Sequence, residues 1–105
     1  MIYLLEDKDA YGKDKYLYFY AQWMPHKSRM INLIEKCEKQ FNITFIAVDC
    51  DSFKNVYKYY EIENLPTILI NKKKIVGVPL WSSLKKFVGD ILNNYGEDNE
   101  GKKNR

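Results

Sequence analysis

The side chains best suited to chemistry in this 105-residue chain are two cysteines, one histidine and several clustered lysines. Cys37 and Cys50 stand 13 positions apart, which is neither the C-x-x-C of a dithiol redox pair nor the close pairing of a zinc site. Both are expected to be free thiols packed as small apolar groups; a disulfide between them would need Cα atoms within about 7 Å and an oxidising compartment. His26 falls where a helix is expected to begin. No serine, free cysteine or carboxylate is spaced to complete a nucleophilic set with it, and a lone imidazole does not make a metal site. An exposed contact residue is the expectation. Lys27 beside it puts a cation at the end of a helix that favours anions, an arrangement that invites an acidic partner. Lys72, Lys73 and Lys74 crowd a turn, and Lys102, Lys103 and Arg105 close the chain. These read first as solvated charges, with contact to phosphate or to an acidic protein as the functional alternative.

The elements that must position these groups follow from the pattern of apolar residues. From Tyr16 to Trp23 the run YLYFYAQW carries no charge, as expected of a strand covered on both faces of a parallel sheet. Pro25 suits a helix start, and Met30, Ile34, Cys37 and Phe41 recur at helical spacing, so residues 26–41 form an amphipathic helix. ITFIAVDC, residues 43–50, is a second buried strand, and a short helix follows over residues 53–60. TILI and KIVGV then make a hairpin about a turn at Asn71 and Lys72. Ser82 or Ser83 opens a last helix, with Leu84, Phe87, Val88, Ile91 and Leu92 on one face. The order is β-α-β-α-β-β-α: an α/β domain whose mixed sheet has four strands, or five if Ile2 to Leu5 adds one. The domain is expected over residues 1–95. Residues 96–105 hold no apolar side chain and are expected to form a polar, mobile tail.

Composition narrows the function classes. The chain is 46% hydrophobic and 15% aromatic, enough for one core and too short for two. A formal charge of +3 with 14 acidic residues interspersed gives no field that demands nucleic acid. No run approaches the roughly 18 apolar residues of a membrane helix, and Glu6, Asp7, Lys8 and Asp9 interrupt any leader. A protein with no membrane contact, inside the cell in the cytoplasm or within an assembly, is the expectation.

Three motifs in order carry a resemblance to a known family. Ala21-Gln22-Trp23-Met24-Pro25-His26-Lys27-Ser28-Arg29-Met30 resembles the A-x-W-C-x-x-C-x-x-M strand-to-helix signature of the thioredoxin family. Val48-Asp49-Cys50-Asp51 resembles its V-D-x-D strand end, and Leu65-Pro66-Thr67 resembles its hydrophobic-Pro-Thr loop, whose proline is cis. Lys74 to Gly77 looks like its final strand. The likeness spans about residues 16–92 and implies a thioredoxin-like fold.

It also implies what is missing. Met24 and Lys27 occupy the two cysteine positions, and neither a thioether nor an ammonium can become the thiolate that disulfide exchange needs. The family's buried acid aligns with Tyr18 and its accompanying lysine with Ala47, so the proton-transfer groups are absent too. The resemblance therefore implies no catalytic residue, cofactor or metal. It suggests a redox-inactive module or structural subunit that binds another protein on the former active-site face. Trp23 and Met24, exposed as in the family, would form with Leu65, Pro66 and Thr67 an apolar platform where extended peptides lie in relatives. Two other readings stand beside this one. The first is an atypical oxidoreductase, or an accessory to one, using Cys37 or Cys50. The second is an accessory of a nucleic-acid-processing complex, resting on the basic turn and tail.

Overall fold

The computed structural model describes the backbone of residues 1–100 and the side chains of residues 1–93. Its centre is β2 (Tyr16–Tyr20), whose aromatic sequence leaves no face able to meet water. Strand alternation divides these side chains: Leu17 and Phe19 join one core cluster, Tyr18 and Tyr20 the other. β1 (Ile2–Tyr3) and β3 (Ile46–Asp49) run parallel to β2, and β4 (Thr67–Ile70) and β5 (Lys73–Val76) are antiparallel, giving the order β1-β3-β2-β4-β5. This is the mixed sheet expected, with the short first strand present. One face is covered by α1 (Lys27–Phe41) and α3 (Trp81–Glu100) through Met30, Ile34, Cys37, Leu84 and Val88. The other is covered by α2 (Lys54–Tyr59) through Val56 and by a 3-10 turn at Asp7–Ala10 that the residue pattern did not announce.

Several boundaries are shorter than the apolar runs, each for a backbone reason. β2 stops at Tyr20 because the Met24 N–H donates to the Ala21 carbonyl, closing a tight turn over the last residues of the run. α1 begins one residue later than expected: His26 is its N-cap, in a left-handed conformation with φ of 64°. At its other end Asn42 is also left-handed, and Asn42 and Ile43 both donate back to the Glu38 carbonyl. β5 ends at Val76 because Gly77 turns to φ +89°, open to glycine and costly for other residues, while its N–H donates to Pro66 O at 2.9 Å. α3 opens at Trp81, with the Leu84 N–H donating to the Leu80 carbonyl, not at a serine. Its backbone continues to Glu100, through the first half of the expected tail; Lys102, Lys103 and Arg105 lie outside the described residues. No described helix is long and apolar enough to cross a membrane.

The β4–β5 hairpin turns on Asn71 and Lys72, with φ of 49° and 71°. Two positive φ values in a two-residue loop match the twist of the strands they join. Asparagine tolerates this conformation, whereas for Lys72 it costs about 1–2 kcal/mol that a glycine would avoid.

The aromatic packing around β2 has a consequence for alkaline stability. Burial pushes the Cys37 thiol from its usual 9.0 to about 12, with Glu38 adding to the shift. Burial is also the largest cause raising Tyr20 and Tyr60 above the usual 10.0, and it lifts Tyr18 and Tyr57 further still. The folded chain thus keeps protons that the unfolded chain releases, so the contribution of these groups to stability is fully present below pH 9.0 and is lost as the pH rises through 9.0 to 10.0 and above. In urea titrations the midpoint is expected to decline steadily above that range, with tyrosinate absorbance of the buried rings appearing together with loss of the far-ultraviolet signal. Ionisation of all nine tyrosines in a chain that stays folded would contradict this packing.

Candidate functional site

The strand-to-helix junction after β2 is built by the 21–24 turn. In this turn the third residue faces outward and the fourth packs back into the core. Trp23 is accordingly 71% exposed, whereas Met24 is only 7% exposed and belongs to the core between the sheet and α1 and α3. The expectation that Met24 stands exposed beside Trp23 is therefore corrected. Its flexible thioether fills space under the junction, where a shorter side chain would leave a gap. Pro25 and His26 are exposed and Lys27 is half-buried, so the helix mouth presents a ring, an imidazole and an ammonium.

Leu65, Pro66 and Thr67 reach the same end of the sheet because Thr67 pairs with Phe19 in the antiparallel β2–β4 ladder. The Leu65–Pro66 peptide bond is cis. Leu65 is half-buried and packs against the same core cluster that contains Met24. Pro66 and Thr67 are buried, and the Thr67 hydroxyl donates to the Asn64 carbonyl, so neither side chain offers a broad outer surface. Of the five platform residues, Trp23 is thus the exposed one and Leu65 the partly exposed one, with Met24, Pro66 and Thr67 beneath them.

A polar chain that the motifs did not reveal crosses this junction. Lys27 Nζ donates to Gln22 Oε1 at 3.1 Å, and Gln22 Nε2 donates to Asp49 Oδ2 at 3.2 Å. The Lys27 ammonium is drawn to the turn rather than left over the helix end. Gln22 sits at the variable position of A-x-W, where sequence spacing carries no signal. Asp49 was visible only as part of the V-D-x-D strand end. Tyr57, from α2, places its hydroxyl 2.8 Å from both the Tyr20 and Val48 carbonyl oxygens and so ties the ends of β2 and β3 together.

Neither cysteine is equipped as a nucleophile. Cys37 is fully buried in α1, and its raised ionisation leaves it a neutral thiol. Cys50 is partly buried just after β3; burial, then Asp51 and Asp49, push its thiol up as well. Both are free thiols in this structure. Tyr18, where relatives hold an acid, is 1% exposed and stacked on Tyr20 at 5.3 Å. Burial raises its ionisation far above neutral pH, and it pairs across the strands with Ala47, which carries no polar group. Proton transfer has no carrier at either position. Asp49, Cys50 and Asp51 are close enough to share an ion, but they are neighbours in sequence and Asp51 is exposed.

Residues 9–88 match the thioredoxin family profile. The chain belongs to the thioredoxin family. Solved thioredoxins superpose on it at low sequence identity. A point mutant of the Halobacterium salinarum thioredoxin is 17% identical, with a TM-score of 0.71 over 85% of this chain and 88% of that one. The oxidised Plasmodium falciparum thioredoxin is 24% identical, with a TM-score of 0.66 over 81% and 88%. Malassezia sympodialis thioredoxin is 19% identical, with a TM-score of 0.69 over 86% and 90%. At these identities the likeness establishes the fold alone. No curated protein matches the sequence significantly. This member of the thioredoxin family keeps the sheet, the cis-proline loop and the strand-to-helix junction, and lacks the C-x-x-C pair.

The state of the two thiols can be read directly. With an excess of an aromatic disulfide reagent at neutral pH, Cys50 is expected to react at or below the rate of a free model thiol. Cys37 is expected to react only once denaturant opens the fold. Rapid labelling of either, with an apparent pKa below the ordinary thiol range, would contradict the burial described above.

Proposed function

We propose that this chain is a redox-inactive thioredoxin-fold module that binds another protein, alone or as a subunit of an assembly, on the former active-site face. The observation that carries this reading is Trp23: a large indole 71% exposed on a short, hydrogen-bonded turn, above a junction packed by Met24 and beside the loop of Leu65 and Pro66. Exposed tryptophan is disproportionately a binding anchor, because it supplies a large contact area and loses little conformational freedom. Pro25 and His26 extend the face at one side and Leu65 at the other. An extended segment laid across it is the occupant that this shape favours. The buried Met24 stands where an attacking thiol would be needed, and the two real thiols lie elsewhere with raised ionisation. These observations weigh against the oxidoreductase reading.

Two measurements test the proposal together. Selection of random peptides on the immobilised domain should enrich extended apolar sequences, and Trp23→Ala should weaken the enriched peptides about tenfold or more, on the order of 1.4–2 kcal/mol. In a protein-disulfide reduction assay the wild type should give no turnover above the added small thiol. Met24→Cys with Lys27→Cys should instead form a pair that can be oxidised to a disulfide, at a stability cost of about 1–3 kcal/mol from the shortened core side chain. Peptide binding indifferent to Trp23→Ala would remove the binding face. Catalytic reduction by the wild type would remove the redox-inactive assignment.

A further inference from the structure

At the other end of β2 from Trp23, on the face covered by α2, lies a cavity of about 600 Å³, within the range of small-molecule sites. Its floor is apolar, from Leu17 and Leu69, and the ring of Tyr59 stands at its wall. Three lysines converge on it from two separate segments: Lys13 and Lys15 from the loop before β2, and Lys72 from the β4–β5 hairpin. None of the lining residues is acidic, and among the described residues none of these three lysines makes an ion pair.

Two features make this more than a gathering of surface charge. Tyr59 is 65% exposed and yet held in place, edge-on to Tyr11 at 4.7 Å and to Tyr60 at 4.8 Å, while the Tyr60 hydroxyl is fixed on the Ala10 carbonyl at 2.7 Å. A restrained ring with so much free surface is a ready stacking platform. In addition, the rim is backbone in the left-handed region: Gly12 at φ +117°, with the Lys15 side chain lying over it, and Lys72 at 71°. A lysine kept where glycine would be less strained suggests that its charge is wanted at that point. The demand is for a compact ligand with a flat ring at one end and two or more negative charges at the other. An acidic peptide would supply the charge but not a rigid ring beside it.

We propose that this cavity binds a nucleoside polyphosphate, its base against Tyr59 over Leu17 and Leu69, and its phosphates on Lys13, Lys15 and Lys72. Ammonium groups on flexible stems are effective phosphate partners as point charges. The site is independent of the Trp23 face and asks nothing of it.

The test is titration of ADP, adenosine and inorganic pyrophosphate into the isotope-labelled full chain, followed by amide resonances at physiological salt. ADP should bind saturably, with shifts grouped at Gly12, Tyr59 and Asn71, and more tightly than adenosine or pyrophosphate. Lys13→Ala with Lys15→Ala should weaken ADP about tenfold or more. Tyr59→Ala should weaken ADP while leaving pyrophosphate unchanged. Lys72→Gly is the control against a merely structural effect, because it should raise the melting midpoint while lowering ADP affinity. Absence of saturation, shifts spread equally to Lys85 and Lys86 on α3, or pyrophosphate as tight as ADP would each overturn the proposal.

Discussion

The structure hangs on the covering of β2 from both sides. A strand reading Tyr-Leu-Tyr-Phe-Tyr can remain ordered in water only if each face is roofed, and its alternation assigns Leu17 and Phe19 to one roof and Tyr18 and Tyr20 to the other. α2 with the 3-10 turn supplies the first cover, and α1 with α3 the second. The three hydroxyls of Tyr57 and Tyr60 on one side and Thr67 at the strand end are satisfied by backbone carbonyls, so these part-buried polar groups have partners. Sheet order, layering and the position of both candidate sites at opposite ends of β2 follow from that single constraint.

At one end of the strand, loss of chemistry and gain of packing are the same change. A thiol at position 24 would need access to substrate and a lowered pKa; the methionine there needs neither and is folded into the core beneath the junction. The turn that buries Met24 also pushes Trp23 outward, so the position next to the lost nucleophile becomes the most prominent apolar feature of the face. Lys27, at the second lost thiol, is absorbed into hydrogen bonding with Gln22 and through it Asp49. Burial raises the ionisation of both remaining thiols, which lowers their thiolate fraction at neutral pH.

At the other end, the strain and the charge coincide. The 12–15 loop and the 71–72 turn use left-handed backbone at Gly12, Asp14, Asn71 and Lys72, and it is these segments that bring lysines around an apolar floor beside Tyr59. Only the antiparallel pairing of Tyr16 with Ile70 and Leu17 with Leu69 places the two segments side by side. The basic turn had been readable as a solvated cluster of Lys72, Lys73 and Lys74; in the fold these diverge, with Lys74 donating to the Glu61 carbonyl and Lys72 facing the cavity.

By itself, the sequence determined the class of the fold and the absence of the redox pair. Uncharged aromatic and aliphatic runs dictate buried strands, a recurrence of apolar side chains at spacings of three and four dictates α1, and residue identity alone says that positions 24 and 27 carry no thiol. These are local properties, legible one segment at a time. Only the tertiary structure decided that Met24 faces inward while Trp23 faces out, that Gln22 links Lys27 to Asp49, and that Lys13, Lys15 and Lys72 share one cavity. Those outcomes depend on φ values in turns and on strand register, which set the direction of a side chain and its distant neighbours without leaving a period or a spacing in the sequence.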